Sequence, residues 1–492
     1  MPDYLSPYQP SVPTFREVSQ RVRRYRPSDL LPALTEVSAS VSFPKDDVIL
    51  EWRDLAPWVM STLARECIVH GNEHRNPHLV STQDVTDLLI AFNASHDSVP
   101  SGTLDQTSGI FNRIAYEQFP YQESDGEEIS RAYAMYTHAL PISQTKTLTS
   151  ETLDALLGGL SLSRYLRAIW AITVLTVSNR GRWQPEAVPE EAWVQFSSRV
   201  DRTEIEAVAN TLIGTVETMK MDYRNAYKDR EPPSWLQRYA YNPLQRTPLM
   251  RTRDGVVLAP QPRLIVRRGS PAGLYYHGWS QLGPGFATDL GEVFQTYVGQ
   301  TLRLISPAAV HTEIVYGKSS ERSVDWFVVF DNLVVLVECK ALRATISARV
   351  ADRDFAPFLQ DRLNGAFKQI DRSVQKIGEG HQSFSQIPRD RNLVGLVVTA
   401  EPLYSANSPT VRSLLHSPSI PTLVASMREV EKLPRLEGNA LAHALLQISG
   451  DGEMSGWMLS TSLNRFEPDT GPGPQAIMDD AWSQTSLGSD PS

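Results

Sequence analysis

In the run SVDWFVVFDNLVVLVECKA, residues 323–341, Asp325, Glu338 and Lys340 are set into a largely apolar stretch. Asp331-Asn332 falls between two β-rich segments, the signal of a two-residue hairpin loop closed by a primed turn. With that loop, position 330 pairs with 333, and Asp325 lands directly opposite Glu338. Side chains alternate between faces along a strand, so Lys340 shares a face with Glu338. Directly opposed residues have Cβ atoms about 4.5–5.5 Å apart, and like charges there are destabilising. A buried carboxylate pair must share a proton, pair with cations or bind a metal. Lys340 offsets one charge, and a divalent cation would offset the rest. Carboxylate oxygens are hard ligands that suit Mg²⁺ or Mn²⁺.

The pattern Val324-Asp325 … Glu338-Cys339-Lys340 resembles the PD-(D/E)xK nuclease superfamily, with Val in the place of the Pro. The resemblance covers residues 285–430. It implies a restriction endonuclease-like domain that hydrolyses phosphodiester bonds with Mg²⁺, Mn²⁺ being an alternative, most simply in DNA and in a restriction or phage-defence setting. Asp325, Glu338 and the backbone carbonyl of Cys339 would be the metal ligands, and Lys340 would position the attacking water. Glu292, in LGEVFQTYV, is the candidate for the helix acid of such enzymes. Gln295 stands directly after the Phe, where related enzymes often carry that acid. Gln369 matches a glutamine found on the helix after the Lys strand, with Ser373 standing where a Tyr would complete the pattern. Arg362, Lys368, Arg372 and Lys376 are candidates for gripping flanking phosphates. Residues 340–376 hold eight Lys/Arg against four Asp.

The surrounding patterns predict the elements that would position these residues. Leu290–Leu304 has helical spacing, His311–Tyr316 reads as a short strand, and Val324–Phe330 and Leu333–Lys340 as strong strands. They are followed by a helix at Asn364–Lys376, a buried strand at Leu393–Thr399, a helix at Ser408–Leu415, a strand at Thr422–Ala425 and a helix near 427–447. The order α-β-β-β-α-β-α-β-α describes a mixed-sheet α/β domain over 286–450. Residues 46–230 carry apolar positions at three- and four-residue spacing and are expected to form an all-α domain. Residues 1–45 read as a loosely ordered lead-in, 231–285 as an irregular or short-strand connector, and 466–492 as a disordered tail.

Length and composition bound the function. The 492 residues are enough for two or three domains, and two cysteines exclude a disulfide-stapled scaffold. The net charge of -9 argues against indiscriminate coating of nucleic acid while leaving room for a local basic groove. The N-terminus lacks the order of a secretory signal, and the longest apolar run, Ala168–Val177, is too short to span a membrane. A cytoplasmic protein with no membrane partner is expected. Cys67, His70, His74 and His78 have a spacing that raises a structural zinc, but Asn76-Pro77 interrupts the helix that would align them. There is no G-x-x-x-x-G-K-[ST] loop, so any nucleotide-driven step needs a separate ATPase. A specificity partner or a homodimer is equally open. The competing reading is a catalytically inactive nuclease-fold binding or scaffold protein.

Overall fold

A computed structural model describes residues 13–42, 56–95, 106–121, 124–197, 200–228, 232–343, 349, 355–436, 438–466, 476–485 and 487. The chain forms two compact units. One comprises residues 1–100 and 167–268, the other residues 101–166 and 269–492. The boundary falls inside the helix Leu162–Ser178. The expected all-α stretch 46–230 is therefore divided between two units.

The first unit is mainly helical. Helices Phe15–Val22 and Pro27–Ser42 occupy the region expected to be a loose lead-in. Their cause is local: Glu17 accepts the Thr14 N–H at 3.0 Å, and Phe15, Val18 and Val22 fall on one buried face. A small sheet joins β1 (Ile213–Thr215), β2 (Leu249–Arg251) and β3 (Val257–Leu258), with β1 parallel and β3 antiparallel to β2. Arg65 is fully buried and donates to the carbonyls of Gln237, Arg238 and Ala240, which anchors the short-element region that follows residue 231.

The second unit is mixed α/β. Its five-stranded sheet has the order β10-β9-β8-β7-β4. Here β4 is Ala309–Thr312, β7 Trp326–Val329, β8 Leu333–Lys340, β9 Asn392–Thr399 and β10 Thr422–Ser426. A two-stranded ribbon, β5 (Val315–Tyr316) with β6 (Glu321–Arg322), lies between β4 and β7 in the chain. β8 is central and reads LVVLVECK. A strand flanked on both sides and packed on both faces needs a continuous apolar run, and its first six residues are buried. β7 and β8 pair antiparallel, whereas β8, β9 and β10 run parallel. The long helix Phe355–Glu379 follows β8 in sequence and packs Leu359, Leu363, Phe367 and Ile370 into a core with Phe327, Val334 and Leu336.

Three segments of the chain differ from expectation. The stretch 263–282 is helical, as Arg263–Arg268 and Pro271–Leu282, rather than irregular. Ser270 caps the second of these, with its hydroxyl accepting the Gly273 N–H and Pro271 in the first turn. In the expected disordered tail, Ala476–Thr485 is a helix that buries Met478 and Ala481. The 331–332 loop also lacks the positive φ of a primed turn. Its shape comes instead from Arg391, whose guanidinium donates to the carbonyls of Phe330 and Asp331, and from Asn439, which donates to the Asp331 carboxylate. The Arg263–Arg268 helix belongs to the first unit and Pro271–Leu282 to the second.

Candidate active site

The hairpin register is the expected one: Trp326 pairs with Val337, Phe327 with Leu336, Val328 with Val335 and Val329 with Val334. Phe330 donates its N–H to the Leu333 carbonyl at 2.8 Å, which closes the hairpin. One step beyond the last pair, Asp325 opposes Glu338. Both are buried, and Glu338 is only 2 % exposed. Asp325 Oδ2 accepts the Cys339 N–H at 2.6 Å, so the carboxylate is bonded across the hairpin to the strand that carries Glu338. Lys340 Nζ donates to Glu338 Oε1 at 2.6 Å and keeps 31 % of its side chain exposed. The other oxygen of Glu338, Oε2, is buried with no hydrogen-bond partner among the described residues.

Loss of solvent governs the electrostatics. Desolvation pushes the Asp325 carboxyl above the ordinary carboxylate range, against the lowering effect of the Cys339 N–H and Lys340. It pushes Glu338 further up, helped by the charge of Asp325 and opposed by Lys340. Both carboxylates therefore hold protons, or take a cation, more readily than in water.

A third carboxylate belongs to the group and escapes sequence reasoning. Glu313 follows β4, which pairs antiparallel with β7 so that Thr312 faces Trp326. Glu313 lies one residue beyond that pair, beside the Asp325 end of β7, where its charge reaches Asp325 and Glu338. The charge of Glu313 raises both other carboxylates. Its own carboxyl is raised by partial burial, while Arg322, ion-paired to it at 3.0 Å, opposes the shift. The β5–β6 ribbon separates Glu313 from Asp325 in the chain, and this excursion hides the pairing from any local pattern.

The remaining candidates divide. Glu292 lies on the helix Pro284–Arg303, is exposed, and exerts its charge on Glu313. Gln295 offers its backbone carbonyl to the Trp326 indole N–H at 3.2 Å. Gln369 donates to the Ser323 carbonyl at 2.6 Å, and Ser373 Oγ accepts the Val324 N–H at 3.1 Å. Both residues thus pin the backbone leading into Asp325, and the Gln369 amide nitrogen is engaged there rather than held out to solvent. Arg362, Lys368 and Arg372 are exposed. Arg362 pairs with Asp361 at 3.2 Å and Lys376 with Glu379 at 2.8 Å. The zinc series does not assemble. Cys67 is buried within the helix Pro57–His70, where desolvation holds its thiol protonated, and His74 and His78 lie beyond the helix end. Among the described residues no group of three or more His, Cys, Asp or Glu has the geometry of a metal cage.

No family model matches the chain, and no curated protein matches it. Among the described residues, no helix is long and apolar enough to cross a membrane.

Proposed function

We propose that the chain is a Mg²⁺-dependent endonuclease with a restriction endonuclease-like domain, acting on DNA. The reading is carried by the buried Glu338 Oε2, which has no hydrogen-bond partner among the described residues, in a carboxylate that feels the charge of the buried Asp325. Leaving such an oxygen unsatisfied is costly, and a cation between Asp325 and Glu338 removes the cost. The donor chemistry fits Mg²⁺ or Mn²⁺: two carboxylates, with the Cys339 backbone carbonyl as the proposed third ligand. Bound there, the metal would supply Lewis acidity and a more acidic water. Lys340, on a flexible stem with one end in solvent, can leave Glu338 Oε1 to hold the attacking water and stabilise negative charge on the phosphoryl oxygens. Gln369 and Ser373 hold Asp325 in place through the backbone of Ser323 and Val324. Restriction or phage defence is the setting that the superfamily resemblance suggests.

A second reading is favoured by the same Lys340–Glu338 contact. At 2.6 Å it neutralises the more strongly perturbed acid without any metal, as an inert binding or scaffold protein would need. Incubation of the purified chain with DNA and RNA, single- and double-stranded, in Mg²⁺ or Mn²⁺ separates the two. Metal-dependent cleavage lost in Asp325→Ala supports the nuclease. No cleavage of any substrate, together with no heat of Mg²⁺ or Mn²⁺ binding, supports the scaffold.

A further inference from the structure

The helix Pro271–Leu282 carries Tyr275, Tyr276 and Trp279 within little more than one turn. Tyr276 is 50 % and Trp279 43 % exposed, unusual for rings of that size so close together. The Tyr275 and Trp279 rings lie within 23° of parallel, with centroids 6.3 Å apart. Their support is rigid. Gly278 lets the Phe286 ring press against the helix backbone where any Cβ would collide, and Phe286 in turn backs Tyr275.

This aromatic face is joined to the end of the strand that carries Lys340. The Arg343 guanidinium lies 4.1 Å from the Tyr275 ring centroid and 5.8 Å from that of Tyr276. Arg343 is three residues beyond Lys340, a reach of at most about 11 Å. Ala400 donates its N–H to the Lys340 carbonyl, and the next residue, Glu401, pairs with Arg343 at 2.8 Å and Arg349 at 3.1 Å. The Arg343 and Arg349 guanidiniums thus converge on the Glu401 carboxylate beside the rings. The Arg343 Nε is buried without a hydrogen-bond partner among the described residues.

We propose that Tyr275, Tyr276 and Trp279 form a stacking platform for single-stranded nucleic acid, with the Arg343–Arg349 side receiving its phosphates and directing the strand toward Lys340. Every unpaired base offers a π-face to such rings, whereas a duplex keeps those faces in its own stack. Guanidinium groups beside the rings suit the phosphates of the backbone that accompanies the bases. The proposal deepens the nuclease reading and rests on it for what happens at Lys340.

The test is fluorescence anisotropy of a fluorescein-labelled oligo-dT with the full chain in EDTA, where no cleavage occurs. Trp279→Ala and Tyr276→Ala are each expected to weaken binding by about 5- to 150-fold, the factor for loss of one base stack, and Trp279→Phe to restore most of it. A blunt duplex should compete poorly. The indole emission of Trp279, read as the difference from Trp279→Phe, should be quenched on binding. Absence of oligo-dT binding, Trp279→Ala binding within about twofold of wild type, or equal competition by duplex overturns the platform. Trp279-dependent binding without cleavage of any substrate in Mg²⁺ upholds the platform and removes the nuclease reading. Cleavage that Trp279→Ala and Tyr276→Ala leave unchanged, with oligo-dT binding also unchanged, does the reverse.

Discussion

Glu338 and Asp325 give up protons less readily in the folded chain than in the unfolded one, because burial disfavours their charged forms. The folded state therefore binds more protons from the ordinary carboxylate range, about pH 4, up to the raised values. The sign follows: in metal-free buffer these two groups make stability fall as pH rises through that interval. Urea melts at acid and at mildly alkaline pH should show a smaller fall in Glu338→Gln than in wild type. An equal fall in both would remove the claim that Glu338 is strained when ionised. Mg²⁺ bound at the proposed site would displace those protons, so it should stabilise more at alkaline than at acid pH, measured as a thermal shift. Glu313 adds a further expectation. Its charge raises both neighbours, so Glu313→Gln should move the rising limb of the Mg²⁺-dependent activity profile to lower pH. A limb that stays in place would show that Glu313 does not act on the site. The Asp325–Glu338–Lys340 set was legible because loop length and strand period fix it within one hairpin. Glu313 was not, since only the non-local β4–β7 pairing brings it there.

At the scale of elements, the site depends on two supports for the strand that carries Asp325. Ser373, fully buried on the long helix, accepts the Val324 N–H. Ser373→Ala leaves that N–H without its acceptor and should cost about 1–3 kcal/mol in a denaturant melt, with a fall in activity beyond what the lost stability explains. Unchanged stability would show that the backbone finds another acceptor. The second support is the helix Pro284–Arg303, where Gly299 meets the Trp326 ring so closely that a Cβ would overlap it. Gly299→Ala should cost about 1–3 kcal/mol by the same measurement, and a neutral result would contradict so tight a helix–sheet contact. Strand β8 was readable to the residue because a central strand must be apolar throughout. The turn at Asp331-Asn332 was misread in kind, since its geometry comes from Arg391, sixty residues later in the chain. The helix at 271–282 was obscured by glycines and aromatics that resemble a loop, although Ser270-Pro271 is a legible helix start.

At the scale of the whole molecule, the second unit is assembled from two separated stretches of chain. Their union is polar as well as apolar. The fully buried Arg131 reaches Glu431 at 2.7 Å and Glu128 at 2.6 Å, and Tyr297 donates to Glu431 at 2.8 Å. Asp289 accepts the backbone N–H groups of Lys146, Thr147 and Leu148, which, against the desolvation it suffers, hold its carboxyl below the ordinary range. Removing one member of a buried ion group strands the others, so Arg131→Leu should cost about 3–5 kcal/mol in a thermal or urea melt. A near-neutral change would show that the cluster is wet. This architecture was not legible in the sequence. Periodicity identifies helices one at a time, and nothing in residues 101–166 indicates which later segment they join. The charge of -9 likewise says little about a site in which the decisive acids are buried. The proposed nuclease activity is tested most directly by the single-turnover rate of phosphodiester cleavage in Mg²⁺ by the wild-type chain and by Lys340→Ala, each checked for folding by circular dichroism. The proposed site predicts Mg²⁺-dependent cleavage that falls by about 10²–10³-fold when the ammonium is removed, as for loss of one transition-state charge contact. Equal rates in the two proteins, or no cleavage by the wild type, would contradict it.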